Sequence, residues 1–283
     1  MAATATTWPR GLTTPRKPPD LAPVLGLPAD HLLAWAIETY GRQFAVVTSF
    51  QAEGMVVLDL ARQVDPGVRV LTLDTGRLPE ETYQVIEAVR TGMGLEVEVV
   101  TPDPADVAAM VARHGPNLFH KDPALRRLCC HVRKVAPLDR ALSGVAAWAT
   151  GLRREGGGQS RSDTPKAELD AAHGDIVKLN PLADWSRDQV WAYVRSHRLP
   201  VSSLYEQGYT SIGCAPCTRP TRPGEGERAG RWWWEADSDR ECGLHARLAG
   251  GAASTSPRDR FSAALQRLRA DVHLRARETA DGC

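Results

Sequence analysis

The chain has 283 residues, of which 42% are apolar, and carries 35 lysines and arginines against 34 aspartates and glutamates. This length suits one large domain with appendages, and a net charge near zero argues against a nucleic-acid partner, which usually requires a basic face. No apolar run is long enough to span a bilayer, and the N-terminus lacks the apolar stretch of a secretory signal. We therefore expect a cytoplasmic protein with no membrane partner, whose six cysteines stay reduced.

Short β-branched apolar runs alternate with segments of helical periodicity along most of the chain. The predicted strands are 44–49, 68–73, 95–100, 145–150 and 176–179. The predicted helices are 53–64, 79–90, 104–113, 124–135 and one that begins after Ser186 with a Ser-x-x-Gln capping box. This alternation predicts an α/β fold with a mostly parallel sheet and helices on both faces.

Composition separates a central domain from two flanks. Thr, Ala and Pro dominate the N-terminus, and a run of small residues near the C-terminus precedes an apolar stripe at Phe261, Leu265, Leu268 and Val272. The expected divisions are a disordered segment at 1–22, an α/β domain at 23–200, a cysteine-containing segment of the same domain at 201–246, and a linker with an amphipathic helix at 247–283.

Two predicted strands end in loops that suit an anionic ligand. The first loop runs from Thr48 to Gly54 and precedes a helix, so its backbone N–H groups can bind an anion at the helix N-terminus. It lacks the Gly-Lys-Ser/Thr ending of a Walker A loop. The second strand ends in the same way, at Leu73 to Arg77. Neighbouring loops at one sheet edge predict a nucleotide-sized pocket.

Four of the cysteines occur as two pairs that are distant in sequence. Cys129 and Cys130 are adjacent, and Cys214 and Cys217 form a Cys-x-x-Cys pair. Four thiolates suit an iron–sulfur cluster or a structural zinc ion, and free or disulfide-linked thiols are the third possibility. Adjacent ligands favour a cluster, because zinc sites usually space both pairs. The cations that follow the first pair would offset the charge of such a group.

The other residues whose chemistry is informative are one isolated cysteine and several arginines. Cys242 lies in Glu-Cys-Gly-Leu-His and suits a nucleophile, which requires the thiolate form. Arginine forks beside flexible glycines suit phosphate or sulfate oxygens, although isolated surface arginines are commoner. The arginines in such positions are Arg153, Arg154, Arg161, Arg228 and Arg231.

Taken in order, these motifs resemble one family, the assimilatory adenylylsulfate (APS) reductases, which are related to the 3′-phosphoadenylylsulfate (PAPS) reductases. The resemblance covers most of residues 44–245. The blocks that carry it are Cys-Cys-His-Val-Arg-Lys at 129–134, Thr-Gly-Leu-Arg-Arg at 150–154, the 208–218 segment that contains Cys-Ala-Pro-Cys, Gly-Arg-Trp-Trp-Trp-Glu at 230–235, and Glu-Cys-Gly-Leu-His at 241–245.

The resemblance implies a PP-loop-like adenine nucleotide α-hydrolase fold and a [4Fe–4S] cluster on Cys129, Cys130, Cys214 and Cys217. It implies that Cys242 attacks the sulfur of APS and becomes an S-sulfocysteine. Reduced thioredoxin, or a glutaredoxin-like dithiol, then releases sulfite. A homo-oligomer is a further expectation. The substrate-binding residues that it implies are Ser49, Leu73, Thr75, Lys134, Gly151, Arg161, Arg228 and Arg231.

Several alternatives remain open at this point. Within the same class, the chain can be a PAPS reductase or an enzyme for both substrates. In another class, it can be a non-catalytic iron–sulfur or zinc redox sensor, which would not need Cys242. A PP-loop adenylating enzyme is disfavoured because a Ser-Gly-Gly-Lys-Asp-Ser type of loop is absent. One departure from the family pattern is Gly54, where many relatives carry an acidic residue.

Overall fold

The structure is a computed structural model, and it describes residues 19–155 and 161–235. The strands in these ranges form one sheet and are β1 Phe44–Val47, β2 Val70–Leu73, β3 Val97–Val100, β4 Ala147–Ala149, β5 Ala167–Asp170 and β6 Ile176–Leu179. Their order across the sheet is β3-β2-β1-β4-β6-β5. All neighbouring strands are parallel except β5, which runs antiparallel to β6 at the edge.

The helices lie mostly between consecutive strands. They are α1 Ala29–Tyr40, α2 Ala52–Val64, α3 Glu80–Gly92, α4 Pro104–His114, α5 Pro123–Cys130, α6 Ala136–Ala141 and α7 Arg187–Ser196. A π-helical turn, His131–Val135, joins α5 to α6. Within the described ranges, no helix combines the length and apolar character needed to cross a membrane.

The two faces of the sheet bury different sets of side chains, because residues alternate between faces along each strand. Phe44 and Val46 of β1 belong to a core that includes side chains from α1, α2, α3 and α7. Ala45, between them, belongs to a second core with Trp148 of β4 and Leu138 of α6. The predicted α/β fold, with helices on both faces of a mostly parallel sheet, is confirmed.

The order of the strands places a crevice beside β1 and β4. The chain continues from β1 outward to β2 and β3 on one side, and from β4 outward to β6 on the other. The loops that follow β1 and β4 therefore leave the sheet in opposite directions at its carboxyl edge. Such a switch point is where open α/β sheets bind their ligands.

The predicted strands are all present, and most of them are shorter than predicted. The predicted capping box of α7 is also formed. The Ser186 hydroxyl accepts from the Gln189 N–H at 3.2 Å, and the Gln189 side chain accepts from the Ser186 N–H at 2.7 Å. The helix predicted at 124–135 differs, because it ends as an α-helix at Cys130 and continues as the π-helical turn. Helices α1 and α6 and the edge strand β5 were not predicted from the sequence.

Candidate active site

A cavity of about 210 Å³ opens at the switch point. Its walls come from the loops after β1, β2 and β4, from the π-helical turn, and from residues 210–213 and 227–231. The residues predicted to bind substrate all line it, and they are Ser49, Leu73, Thr75, Lys134, Gly151, Arg161, Arg228 and Arg231. The structure therefore gathers into one pocket residues that are spread over most of the chain.

The loop between β1 and α2 is held in a defined shape. The Thr48 hydroxyl accepts from the Phe50 N–H at 2.9 Å, and Phe50 has a left-handed backbone with φ of 55°. Gly54 packs against the same hydroxyl, and a Cβ at this position would lie 2.3 Å from Thr48 Oγ1. The departure from the family pattern at Gly54 therefore has a local reason, because this loop leaves no room for a side chain there.

The same loop is tied to the segment that contains the second cysteine pair. The Tyr205 hydroxyl accepts from the Ala52 N–H at 3.0 Å, and burial raises the pKa of this phenol. The Gln51 side chain accepts from the Ile212 N–H at 2.8 Å. These bonds fix residues 205–212 against the N-terminus of α2 and close that side of the pocket.

The loop after β4 contacts the α2 N-terminus directly. A Cβ at Gly151 would lie 2.9 Å from both the Glu53 Cβ and the Gly54 backbone nitrogen. The Thr150 hydroxyl donates to the buried Asn180 side chain at 2.7 Å and accepts from the Leu152 N–H at 3.2 Å. Only glycine fits at position 151 without moving one of the two loops.

Arg153 does not fulfil its predicted role as a fork for phosphate or sulfate. Its side chain is only 3% exposed and is paired with Glu53 at 2.9 Å, with Glu227 at 3.1 Å and with Glu155 at 3.2 Å. The three guanidinium nitrogens are occupied by these carboxylates. Arg153 instead joins three segments of the pocket wall, and the carboxylates that surround it were not recognised from the sequence.

Four cationic side chains also line the pocket. They are Lys134, Arg161, Arg228 and Arg231. Arg231 is buried, its guanidinium lies 4.7 Å from the centre of the Trp232 ring, and its Nη1 donates to the Ile212 carbonyl at 3.3 Å. The Arg231 Nε has no hydrogen-bond partner. A buried arginine with an unused donor suits a ligand with anionic oxygens.

A second, smaller cavity adjoins the first and is lined by all four paired cysteines, Cys129, Cys130, Cys214 and Cys217. The four thiols are buried and form no disulfide. Arg77, Arg126, Arg133 and Lys134 line this cavity as well. Lys134 is shared by the two cavities, so its charge lies between the thiols and the pocket.

The thiols influence one another's protonation. Burial and the charge of Cys214 raise the pKa of Cys217 to about 12, and burial together with Cys214 also raises the pKa of Cys129. Burial opposes ionisation of Cys214 too, but Lys134, a hydrogen bond with Thr75 and Arg231 lower its pKa below the ordinary value. The Thr75 hydroxyl lies 3.3 Å from the Cys214 sulfur. Any metal that uses all four thiolates must therefore displace protons.

The polar atoms around the thiols suit an additional group that accepts hydrogen bonds. The buried Nε of Arg133 and Nε1 of Trp232 both lack a partner, and both residues line the cysteine cavity. Within 19–155 and 161–235, no three His, Cys, Asp or Glu side chains form a group that could hold a single metal ion. The described arrangement is four buried thiols around one cavity, with unpaired donors on two of the residues that line it, and the cluster stays a prediction.

Other predicted features lie outside the described residues. They are Cys242 with His245, the glycine-rich stretch at 156–160 and the C-terminal helix within 247–283. Of the arginines beside that stretch, Arg161 lines the pocket, whereas the Arg154 Nε donates to the Thr164 carbonyl at 2.9 Å.

The fold and the pocket define a nucleotide-binding α/β protein, with the ligand site at the switch point of the sheet. A sequence profile described as the phosphoadenosine phosphosulfate reductase domain matches residues 43–220. The chain belongs to this family.

Several relatives of known name are similar over most of their length. The adenosine 5′-phosphosulfate reductase of Allochromatium vinosum is 50% identical over 200 residues, which cover 71% of this chain and 77% of the relative. The enzyme of the same name from Pseudomonas aeruginosa is 42% identical over 244 residues, covering 84% and 90%. Among solved structures, the phosphate complex of PAPS reductase from Candida auris has a TM-score of 0.58 and 27% identity, and the match covers 68% of this chain and 91% of that one.

Proposed function

We propose that this protein reduces APS to sulfite and AMP in assimilatory sulfate reduction, which supplies cysteine biosynthesis. The observation that carries the proposal is a pocket lined by four cations, one of which, Lys134, also lines the cavity of the four thiols. The names of relatives at 42–50% identity support the same reaction. We further propose that the reaction takes place in the cytoplasm, where dithiol carriers are reduced.

The charges of the pocket give the substrate an orientation. The nucleoside lies over the loops after β1, β2 and β4, and the phosphosulfate faces Lys134, Arg161, Arg228 and Arg231. Fixed cations in a pocket that excludes water stabilise the negative charge that develops on the leaving phosphate. Binding and the chemical step therefore depend on the same four side chains.

The charges also favour APS over PAPS. Glu53, Glu155 and Glu227 all pair with Arg153, so three carboxylates surround a single guanidinium in this wall. APS and PAPS differ by a phosphate on the ribose, and we place the ribose beside this wall because Glu53 and Arg153 belong to the loops that cover the nucleoside. A second phosphate would meet repulsion there and would find no unpaired guanidinium at Arg153.

Cys129, Cys130, Cys214 and Cys217 are proposed to hold one [4Fe–4S] cluster. Four thiolates are the usual ligands of such a cluster, and the unpaired donors of Arg133 and Trp232 can hydrogen-bond to its sulfurs. When bound, the cluster supplies fixed charge and holds two distant segments together. The residues of the chain carry out the steps that follow.

The reaction is proposed to have two stages. The Cys242 thiolate attacks the sulfur of APS, the bond between sulfur and the phosphate oxygen breaks, and AMP leaves. A thiolate of reduced thioredoxin, or of a glutaredoxin-like carrier, then attacks the Cys242 sulfur of the S-sulfocysteine, the bond between the two sulfur atoms breaks, and sulfite leaves. The second thiol of the carrier resolves the mixed disulfide, which restores the Cys242 thiol and leaves the carrier oxidised by two electrons. A covalent intermediate divides one difficult transfer into two easier steps.

The direct test is sulfite release by the anaerobically purified protein with reduced thioredoxin, comparing APS with PAPS. We expect sulfite from APS and at least tenfold less from PAPS at equal concentrations. Equal rates would make this a dual-substrate enzyme and would contradict the role given to the carboxylate wall. A protein with intact iron content that releases no sulfite from either substrate would instead be a non-catalytic sensor.

A further inference from the structure

Gly213 lies where the cysteine-containing segment meets the pocket, immediately before Cys214. A Cβ at this position would lie 2.3 Å from Nη2 and 2.4 Å from Cζ of Arg231. Real Cβ atoms essentially never approach other atoms so closely. The guanidinium of Arg231 therefore occupies the space that any other residue at position 213 would fill with its side chain.

The same guanidinium also contacts an aromatic ring. Arg231 Cζ lies 4.7 Å from the centre of the Trp232 ring. Its Nη1 makes long hydrogen bonds, 3.3 Å to the Ile212 carbonyl and 3.5 Å to the Ser211 hydroxyl. Among the described residues, no carboxylate pairs with Arg231. Packing between the Gly213 backbone and the Trp232 ring, rather than an ion pair, thus sets the position of this cation.

The Gly213 backbone and Trp232, which both contact the Arg231 guanidinium, are held in place by hydrogen bonds. The Gly213 N–H donates to the Thr218 hydroxyl at 3.1 Å, and that hydroxyl donates to the Cys214 carbonyl at 3.0 Å. The Trp232 N–H donates to the Cys217 carbonyl at 3.1 Å. Thr218 also forms an isolated antiparallel bridge with Arg231. Gly213 and Trp232 are therefore both fixed to the backbone around the second cysteine pair.

We propose that Gly213 is a positioning residue, whose lack of a side chain holds the Arg231 guanidinium flat and directed at the phosphate or sulfate of the substrate. This inference rests on the function proposed above and extends it to a residue that acts through Arg231. Because the backbone at Gly213 and Trp232 is fixed, a methyl group at position 213 displaces the arginine side chain rather than the chain around it. The guanidinium of Arg231 would then leave the position from which it lines the pocket.

The experiment compares Gly213→Ala with Gly226→Ala in the full-length protein. Gly226 lies in the same region, and a Cβ there would meet nothing within 4 Å. For Gly213→Ala we expect the Kd for AMP to rise at least tenfold and kcat/KM for APS to fall by more than that factor. Arg231 interacts with the bound anion and with the charge that develops on the leaving phosphate, so both binding and the chemical step weaken. Gly226→Ala should match the unsubstituted protein, and both variants should keep its iron content.

A double-mutant cycle with Arg231→Ala separates positioning from a general structural effect. If Gly213 acts through Arg231, Gly213→Ala should change AMP binding less than twofold once the guanidinium is absent. Removing the guanidinium also makes room for the methyl group, so Gly213→Ala/Arg231→Ala should retain the iron content and the urea midpoint of Arg231→Ala, even if Gly213→Ala alone folds poorly.

Two results would overturn the inference: AMP binding equal in Gly213→Ala and Gly226→Ala, or an undiminished effect of Gly213→Ala in the Arg231→Ala background. Failure of the proposed function looks different. In that case the unsubstituted protein would release no sulfite from APS, while AMP binding would still report on Gly213. A protein that neither binds AMP nor turns over APS would refute both.

Discussion

Replacing Arg153 by glutamine should show that this residue stabilises the pocket wall rather than binding substrate. The substitution leaves the Glu53 and Glu227 side chains, which are 20% and 17% exposed, without their cation. Removing one partner of a buried ion pair costs about 3–5 kcal/mol, because the remaining charge stays desolvated. We expect a loss of this size in the free energy of unfolding at pH 7.5.

The loss should depend on pH in a defined direction. Burial raises the pKa of Glu227 even beside Arg153, and the charge of Glu53 adds to this effect. Without Arg153 the folded-state pKa of Glu227 rises further above its unfolded value, so the folded state retains a proton that the unfolded state releases. Stability from such a group is present at low pH and is lost as pH rises through the folded-state pKa. The difference between the variant and the unsubstituted protein should therefore be smaller at pH 5.5 than at pH 7.5.

The assay is urea unfolding of anaerobic protein at both pH values, followed by circular dichroism, with iron content matched between samples. Arg219→Gln is the control, since Arg219 also makes a bidentate pair, with Glu225, but that pair is partly exposed. Exposed pairs contribute little to stability. If Arg153→Gln costs no more than Arg219→Gln, or costs the same at both pH values, the assignment of Arg153 to a buried carboxylate network is wrong.

The remaining predictions concern the thiols and the choice of substrate. Cys214→Ser should remove the visible absorption and most of the iron from anaerobically purified protein, and a colourless zinc-loaded parent protein would refute the cluster. Cys242→Ser should bind AMP as tightly as the unsubstituted protein yet release no sulfite and show no sulfonate adduct by mass spectrometry; retained turnover would exclude Cys242 as the nucleophile. Glu53→Gln should raise kcat/KM for PAPS relative to APS about fivefold or more, whereas an unchanged ratio would mean that the wall does not discriminate against the ribose phosphate.

The sheet was predictable from the sequence for a physical reason. Central parallel strands are buried on both faces, so they appear as short continuous apolar runs such as Phe44–Val47. The edge strand Ala167–Asp170 has no such run, because only Ala167 is buried and its partner is a strand later in the chain. Its formation depends on tertiary pairing, which local periodicity does not report.

The pocket was predictable only in part. Its anion-binding residues were proposed from family motifs, and the structure brings all of them to one cavity. Arg153 was interpreted wrongly because its partners are remote, with Glu53 separated from it by 100 positions and Glu227 by 74. No local pattern distinguishes an arginine that binds a ligand from one that binds distant carboxylates. The role of Gly213 was hidden for the same reason, since the atoms it accommodates belong to Arg231.

The two cavities are best understood as one electrostatic unit. Lys134 lines both, and its charge together with Arg231 lowers the pKa of Cys214. Thr75 extends the connection, because its hydroxyl contacts the Cys214 sulfur and its carbonyl accepts from Arg133 at 2.6 Å. Lys134 is attracted both to the thiolates in one cavity and to an anion bound in the other. Negative charge added in either cavity therefore changes how strongly Lys134 interacts with the groups in the other cavity. The π-helical turn makes this sharing possible, since it places Arg133 and Lys134 about one helical turn after two of the cysteines and buries both side chains.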